Sequence, residues 1–265
     1  MEDVFEERFV VFIDILGFGS MVSSASREPN GAIAKRVDTA LTIIENMRLL
    51  GADPVDTRQT IGGFRSHIFS DYIVMSVDLD SFTVSKLFVQ LAKLTVTLMG
   101  EGVWIRGGMS KGLISRRQST PWGPAIVEAY RVESELAKNP RLALSKSALD
   151  FVRNQMDQKQ EDGLILRDSD GVWSLSPMTW ALRSSYGQPP MLTEYLAMRI
   201  KRHLEEAHQQ TVDNPGVFQK IDWLCDHWNK HVWLEQNRPD FDCRTSTRKR
   251  SGLYDAFGEE IEPRN

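Results

Sequence analysis

The chain has 265 residues, 41% of them hydrophobic and 26% charged, enough to bury one good core with a smaller appendage. A formal net charge of −4 argues against a protein that coats nucleic acid or an acidic membrane, because neither favours an acidic partner. Two cysteines, Cys225 and Cys243, exclude a disulfide framework and a thiolate zinc site, although counting leaves one bridge open; a reducing cytoplasm is the expected setting.

The first eight residues are acidic and lack the basic start and apolar run of an export signal. No stretch approaches the roughly 20 apolar residues that cross a bilayer, so no direct membrane insertion is expected. Residues 8–15, Arg-Phe-Val-Val-Phe-Ile-Asp-Ile, read as a buried strand carrying Asp14 near its end and stopped by a tight loop at Gly17 and Gly19. Ile33, Val37, Leu41 and Ile44 recur at helical spacing and predict a helix over 32–49, broken by Gly51 and Pro54. Residues 64–69 and 72–77 are strand-like and are separated only by Ser70-Asp71, which predicts a hairpin with a carboxylate at its tip.

Val84, Leu87, Phe88, Leu91, Leu94 and Leu98 mark a second amphipathic helix, followed by a strand over 103–109. The order is β-α-β-β-α-β, an α+β, ferredoxin-like arrangement with two helices on one face of a four-stranded antiparallel sheet. A helix over 125–137, a strand and helix within 142–152, and a hairpin with arms 164–166 and 172–175 follow. Beyond Pro190 two apolar stripes, Leu192/Leu196/Ile200/Leu204 and Phe218/Ile221/Leu224/Cys225/Trp228/Val232, predict a helical pair packed on the core. The expected organisation is a catalytic domain over 1–180, a helical C-terminal extension over 181–240 and an irregular tail over 241–265. The tail's basic cluster, Arg244, Arg248, Lys249 and Arg250, reads as solvated charge.

In a ferredoxin-like sheet the first and third strands are the central pair, so Asp14 and Asp71 are expected at one edge. Two hard oxygen ligands suit Mg²⁺ or Mn²⁺, which take remaining ligands from water and substrate phosphates. Taken alone, the pair is better explained as exposed loop acids.

Four patches in the same order raise its specificity. Phe12-Ile13-Asp14-Ile15-Leu16-Gly17-Phe18 resembles the Asp-Ile-x-Gly-Phe signature of class III adenylate and guanylate cyclases, and Phe69-Ser70-Asp71 takes the place of their Gly-Asp hairpin. Residues 106–112, Arg-Gly-Gly-Met-Ser-Lys-Gly, resemble that family's Arg-Ile-Gly-Ile-His-Thr-Gly strand. Residues 123–133 are similar to its Gly-Asp-Thr-Val-Asn-x-Ala-Ala-Arg-Leu-Glu helix. The combination of Asp-Ile-Leu-Gly-Phe, Phe-Ser-Asp and Ala-Tyr-x-x-Glu looks like the bacterial Pycsar cyclases, which make cyclic UMP or cyclic CMP during phage infection for a separate effector to read.

The resemblance implies a class III cyclase core and two metal ions, Mn²⁺ or Mg²⁺, held by Asp14 and Asp71 with the carbonyl of Ile15. Gly17 and Phe18 would meet the β- and γ-phosphates, His67 and Thr120 would lie by the base, and Arg131 would face the transition state. It also implies a nucleoside triphosphate substrate and a cytoplasmic homodimer with composite active sites, metal carboxylates from one subunit and arginine from its mate. UTP is the favoured substrate. Two departures stand out: Val127 replaces the asparagine that orients the ribose, and neither His67 nor Thr120 is a purine-cyclase choice. Cytidylate cyclisation, a purine cyclase and a degenerate nucleotide-sensing dimer module are the alternatives. A diguanylate cyclase relative fits poorly, because Gly62-Gly63 comes too early and lacks the following acids.

Overall fold

The computed structural model describes residues 4–47, 61–117, 120–156, 164–182, 192–236, 253–254 and 260–261. The elements are β1 (Phe5–Ile15), α1 (Phe18–Arg27), α2 (Ala32–Asn46), β2 (Arg65–Phe69), β3 (Tyr72–Val77), α3 (Ser81–Gly100), β4 (Ile105–Ser115) and α4 (Pro124–Glu135). Then come β5 (Leu142–Leu144), α5 (Lys146–Gln155), β6 (Ile165–Arg167), β7 (Trp173–Leu175), α6 (Pro177–Leu182), α7 (Glu194–Gln210) and α8 (Pro215–Gln236). A two-residue pair, β8 (Leu253–Tyr254) with β9 (Glu260–Ile261), lies in the segment expected to be irregular.

One sheet runs in the order β2-β3-β1-β4-β5-β7-β6. Its first four strands are antiparallel with β1 and β3 adjacent, the α+β ferredoxin-like core expected from the element order. Beyond it, β5 joins β4 in parallel and the β6-β7 hairpin extends the edge, which the order of elements did not foretell.

Strand alternation divides the side chains of β1 cleanly. Phe9, Val11, Ile13 and Ile15 enter the main core with residues of α2, α3 and α5. Val10 and Phe12 enter a separate cluster with Ala125 and Ala129 of α4 on the opposite face. Asp14 continues that second row, so the fold carries its carboxylate to the α4 face. Each of the large apolar side chains buried in the main core contributes about 1.5–3 kcal/mol.

The row also buries Arg8, 2% exposed, whose guanidinium donates to Ser76 Oγ (3.1 Å), to Asp78 Oδ1 (2.9 Å) and to the Gly63 carbonyl. These bonds offset the desolvation of a charge inside the sheet.

Two expectations need correction. The loop at Gly17 and Gly19 is short: Gly17 turns the chain at φ 74° and α1 starts at Phe18, running through Gly19. Only Phe18 and Met21 of α1 pack against the core, too few apolar positions for a periodic signal. Further, α3 is a 20-residue helix of mean hydropathy 1.3, long and apolar enough to cross a membrane, with 61% of its apolar window buried. Its Val84, Leu87, Phe88 and Leu91 lie in the main core and its Val96 and Met99 in a second cluster, so both of its faces are apolar for packing reasons. The first helix of the expected βαββαβ core is α2, ending at Asn46; the expected residues 48 and 49 lie outside the described segments, as does Cys243.

The C-terminal helices α7 and α8 contribute Ile200, Leu204, Leu224 and Trp228 to a second core. The same cluster takes Val96 and Met99 from α3 and Met178 and Ala181 from α6.

Candidate active site

The C-terminal end of β1 meets the β2-β3 turn. Asp14 sits opposite Tyr72 in the ladder, and the Ile15 N–H donates to the Asp71 carbonyl at 3.1 Å. Asp14 is therefore on the strand end directly beside the turn that carries Asp71. The turn is tight, with Ser70 in the left-handed region at φ 58°. The Tyr72 hydroxyl is held above its usual pKa by Asp71 first, then by burial and Asp14, so both carboxylates act on one phenol.

On the other side of Asp14, Arg106 occupies the opposing position of β4. Its Nε–H donates to Asp14 Oδ2 at 2.8 Å, and the same nitrogen lies 2.7 Å from Glu133 Oε1 of α4. Glu133 is only 2% exposed, and its Oε1 has no hydrogen bond, because the Arg106 N–H is directed at Asp14. Burial raises the Glu133 pKa, and Asp14 adds to the rise, while Arg106 and Lys220 of α8 oppose it.

Helix α4 can approach this closely because Gly108 faces it without a side chain. A Cβ on Gly108 would lie 2.0 Å from the Ala129 carbonyl and 2.6 Å from the Glu133 nitrogen. Ser110, on the same row, donates to the Ala125 carbonyl at 2.6 Å.

The other residues singled out from the sequence are distributed as follows. Gly17 and Phe18 form the start of α1, where no side chain caps the helix and main-chain N–H groups are available to an anion. His67 is half-buried on β2, opposite Val74 and on the Asp14 face of the sheet. Thr120 is exposed in the connection between β4 and α4. Arg131 is on the outer side of α4, held by Glu128 (2.8 Å) and Glu135 (2.6 Å), whereas Ala125, Ala129, Val132 and Glu133 face inward. Within one chain, then, Asp14, Ile15 and Asp71 come together with the start of α1, and Arg131 does not join them.

Arg106 and Glu133 were read from the sequence as parts of motifs but not as members of the site. Glu133 is the one acid among the inward positions 125, 129, 132 and 133, a signal that can be read only once the buried face of α4 is known. The signal for Arg106 is its register against Asp14, which requires the strand pairing.

The donor set suits a small hard cation. Asp14, Asp71 and the Ile15 carbonyl offer oxygen only, and among the described residues no group of three or more His, Cys, Asp or Glu could hold a metal. An ion there would depend on water and substrate oxygens for its remaining positions, as Mg²⁺ and Mn²⁺ do. A cleft of about 430 Å³ behind the end of α4, lined by Lys138, Arg141, Asp170 and Lys220 among others, contains neither Asp14 nor Asp71.

No protein-family profile and no curated protein sequence matches the chain. Among solved structures it is similar to a class III adenylyl cyclase-like ATP-binding protein from Pseudomonas aeruginosa, with 13% identity and a TM-score of 0.43 over 64% of this chain and 38% of that one. It is also similar to the monomeric guanylyl cyclase domain of the RhoGC fusion protein from the aquatic fungus Blastocladiella emersonii, with 15% identity and a TM-score of 0.43 over 64% of this chain and 95% of that one. A third is a bacterial light-regulated adenylyl cyclase, with 15% identity and a TM-score of 0.42 over 76% of this chain and 59% of that one. The chain thus spans well under half the length of the first. The α+β class rests on the strand order and register of this chain itself.

Proposed function

We propose that this chain is a metal-dependent nucleotide cyclase that converts UTP to 3′,5′-cyclic UMP and pyrophosphate, as a second messenger in anti-phage defence. The observation that carries the reading is the convergence of the Asp14 strand end with the Asp71 turn, joined by the 3.1 Å bond from Ile15 N to Asp71 O. The four sequence patches add the cyclase assignment, and their likeness to the Pycsar cyclases adds the pyrimidine base and the separate effector.

In this reading Asp14 and Asp71, with the Ile15 carbonyl, hold two Mn²⁺ or Mg²⁺ ions. When bound, such ions acidify the ribose 3′-hydroxyl and neutralise the departing pyrophosphate. The 3′-oxygen forms a bond to the α-phosphorus as the bond to pyrophosphate breaks, and the hydroxyl proton passes to solvent water. The chain's own part is to orient the triphosphate. Gly17 and Phe18 bring the uncapped end of α1 against the β- and γ-phosphates, and His67 and Thr120 border the base. Arg131 serves the partner's site in a homodimer, where its guanidinium stabilises charge on the α-phosphoryl oxygens.

The outward position of Arg131 supports the composite arrangement. So do two apolar side chains exposed on the same helix, Val127 at 66% and Tyr130 at 51%, which suit contact with a second copy of the chain. Cyclic CMP is the second reading for the product, ahead of a purine cyclase or a sensing module without turnover.

The test is incubation of the purified chain with each of the four nucleoside triphosphates and Mn²⁺, with the product identified by mass. A cyclic pyrimidine nucleotide is expected. Asp71→Ala should abolish it while leaving the dimer intact; undiminished product from that variant would overturn the reading.

A further inference from the structure

Arg106 stands between two carboxylates and satisfies only one of them. Its Nε–H is bonded to Asp14 Oδ2 at 2.8 Å, while Glu133 Oε1, at 2.7 Å from the same nitrogen, is buried without a hydrogen bond. A small rotation of that N–H would satisfy Glu133 and release Asp14. Both arrangements keep the guanidinium beside two acids, so the difference between them is which oxygen receives the proton donor. A cation on Asp14 changes that balance, since it takes over the Asp14 charge and repels the guanidinium.

We infer that Glu133 is a positioning residue for the cation site: it competes with Asp14 for Arg106, accepting the guanidinium when a divalent cation binds and so keeping Asp14 available as a ligand. The inference rests on the reading of Asp14 as a metal ligand and adds a residue to it. Several features equip Glu133 for this. It is carried on the inward face of α4, its backbone is fixed against Gly108, and its side chain is 2% exposed, so water cannot substitute for Arg106 as its partner. Arg106, by contrast, keeps 24% of its side chain exposed and has freedom to turn. Without the Glu133 charge, Arg106 would remain on Asp14 and oppose the incoming ion.

The test is titration of the 265-residue chain with Mn²⁺ alone, followed by electron paramagnetic resonance of the free ion, for wild type and for Glu133→Gln, Arg106→Gln and the double variant. Glu133→Gln should weaken Mn²⁺ binding about tenfold, the size of an ordinary coupling between two sites. Arg106→Gln should bind Mn²⁺ at least as tightly as wild type, and adding Glu133→Gln to it should cause no further loss. That dependence on Arg106 is what a merely structural glutamate would not show. Should Glu133→Gln fold poorly, as read by circular dichroism, Glu133→Asp serves, with a smaller loss that again disappears without Arg106. Binding unchanged in the Glu133 variants, or the same loss with and without Arg106, overturns the inference while the metal reading stands. If Asp14→Asn binds Mn²⁺ as wild type does, the metal reading fails and the inference falls with it.

Discussion

At Gly108 the residue itself is the device. The backbone of α4 passes so near that a Cβ would meet the Ala129 carbonyl at 2.0 Å, and neither a strand nor a helix backbone yields easily. Gly108→Ala is expected to cost about 1–3 kcal/mol, the usual range for overpacking, read as a lower urea midpoint. Because Glu133 is carried on the displaced turn, cyclisation should fall as well. The sequence displayed this glycine as part of a motif, but the need for it follows only from the register Phe12 opposite Gly108, which brings α4 over the strand. The same contrast holds for the acids. Asp14 was legible because a carboxylate at the end of an apolar strand is conspicuous; Glu133 was not, because inside a helix it looks like any surface acid until the buried face is known.

Among the elements, β1 was the most readable, since an uninterrupted β-branched and aromatic run has one good use, a central strand. Helix α1 was the least, because Gly and Ser residues give it little intrinsic preference and its packing on the core, through Phe18 and Met21, decides the matter. Helix α8 was legible as a stripe, but its polar anchors were not. His227 stacks on Trp223 (4.7 Å between ring centroids), lies 3.8 Å from Asp168, and has a pKa pushed down to about 3, chiefly by burial and then by Lys230 and Arg141. Asp168 would favour the imidazolium, but it already accepts from Arg141 and Ser174, so burial prevails. The unfolded chain thus takes up a proton on this histidine near pH 6.5 that the folded chain refuses until about pH 3. Stability is full above 6.5 and falls as the pH drops through that window, by at most about 1.4 kcal/mol per unit. Urea midpoints at pH 7.5 and 5.0 should show this fall, and His227→Gln should flatten it.

Taken whole, the proposed enzyme is a pair of chains, each lacking something the other holds. Asp14 and Asp71 meet where the end of β1 abuts the β2-β3 turn, while Arg131 is tied to Glu128 and Glu135 on the outside of α4. Asp71→Ala and Arg131→Ala should each be inactive alone. Mixed in equal amounts, half of the dimers are hybrids with one intact site of two, so about a quarter of wild-type activity should return. No recovery after subunit exchange, confirmed by mass spectrometry of the mixed dimers, would mean that the site is contained in a single chain. By itself the sequence determined the βαββαβ order, the central place of β1 and the acid at the tip of the β2-β3 turn, because hydrophobic period and turn chemistry are local properties. Only the tertiary structure decided that Arg106 faces Asp14, that Glu133 is sealed behind it, that Arg131 turns outward and that α7 docks on α3 with α8 against α6 and α7. Each of these depends on register or on the rotation of a helix about its axis, which contacts between distant segments fix and which no local pattern of residues records.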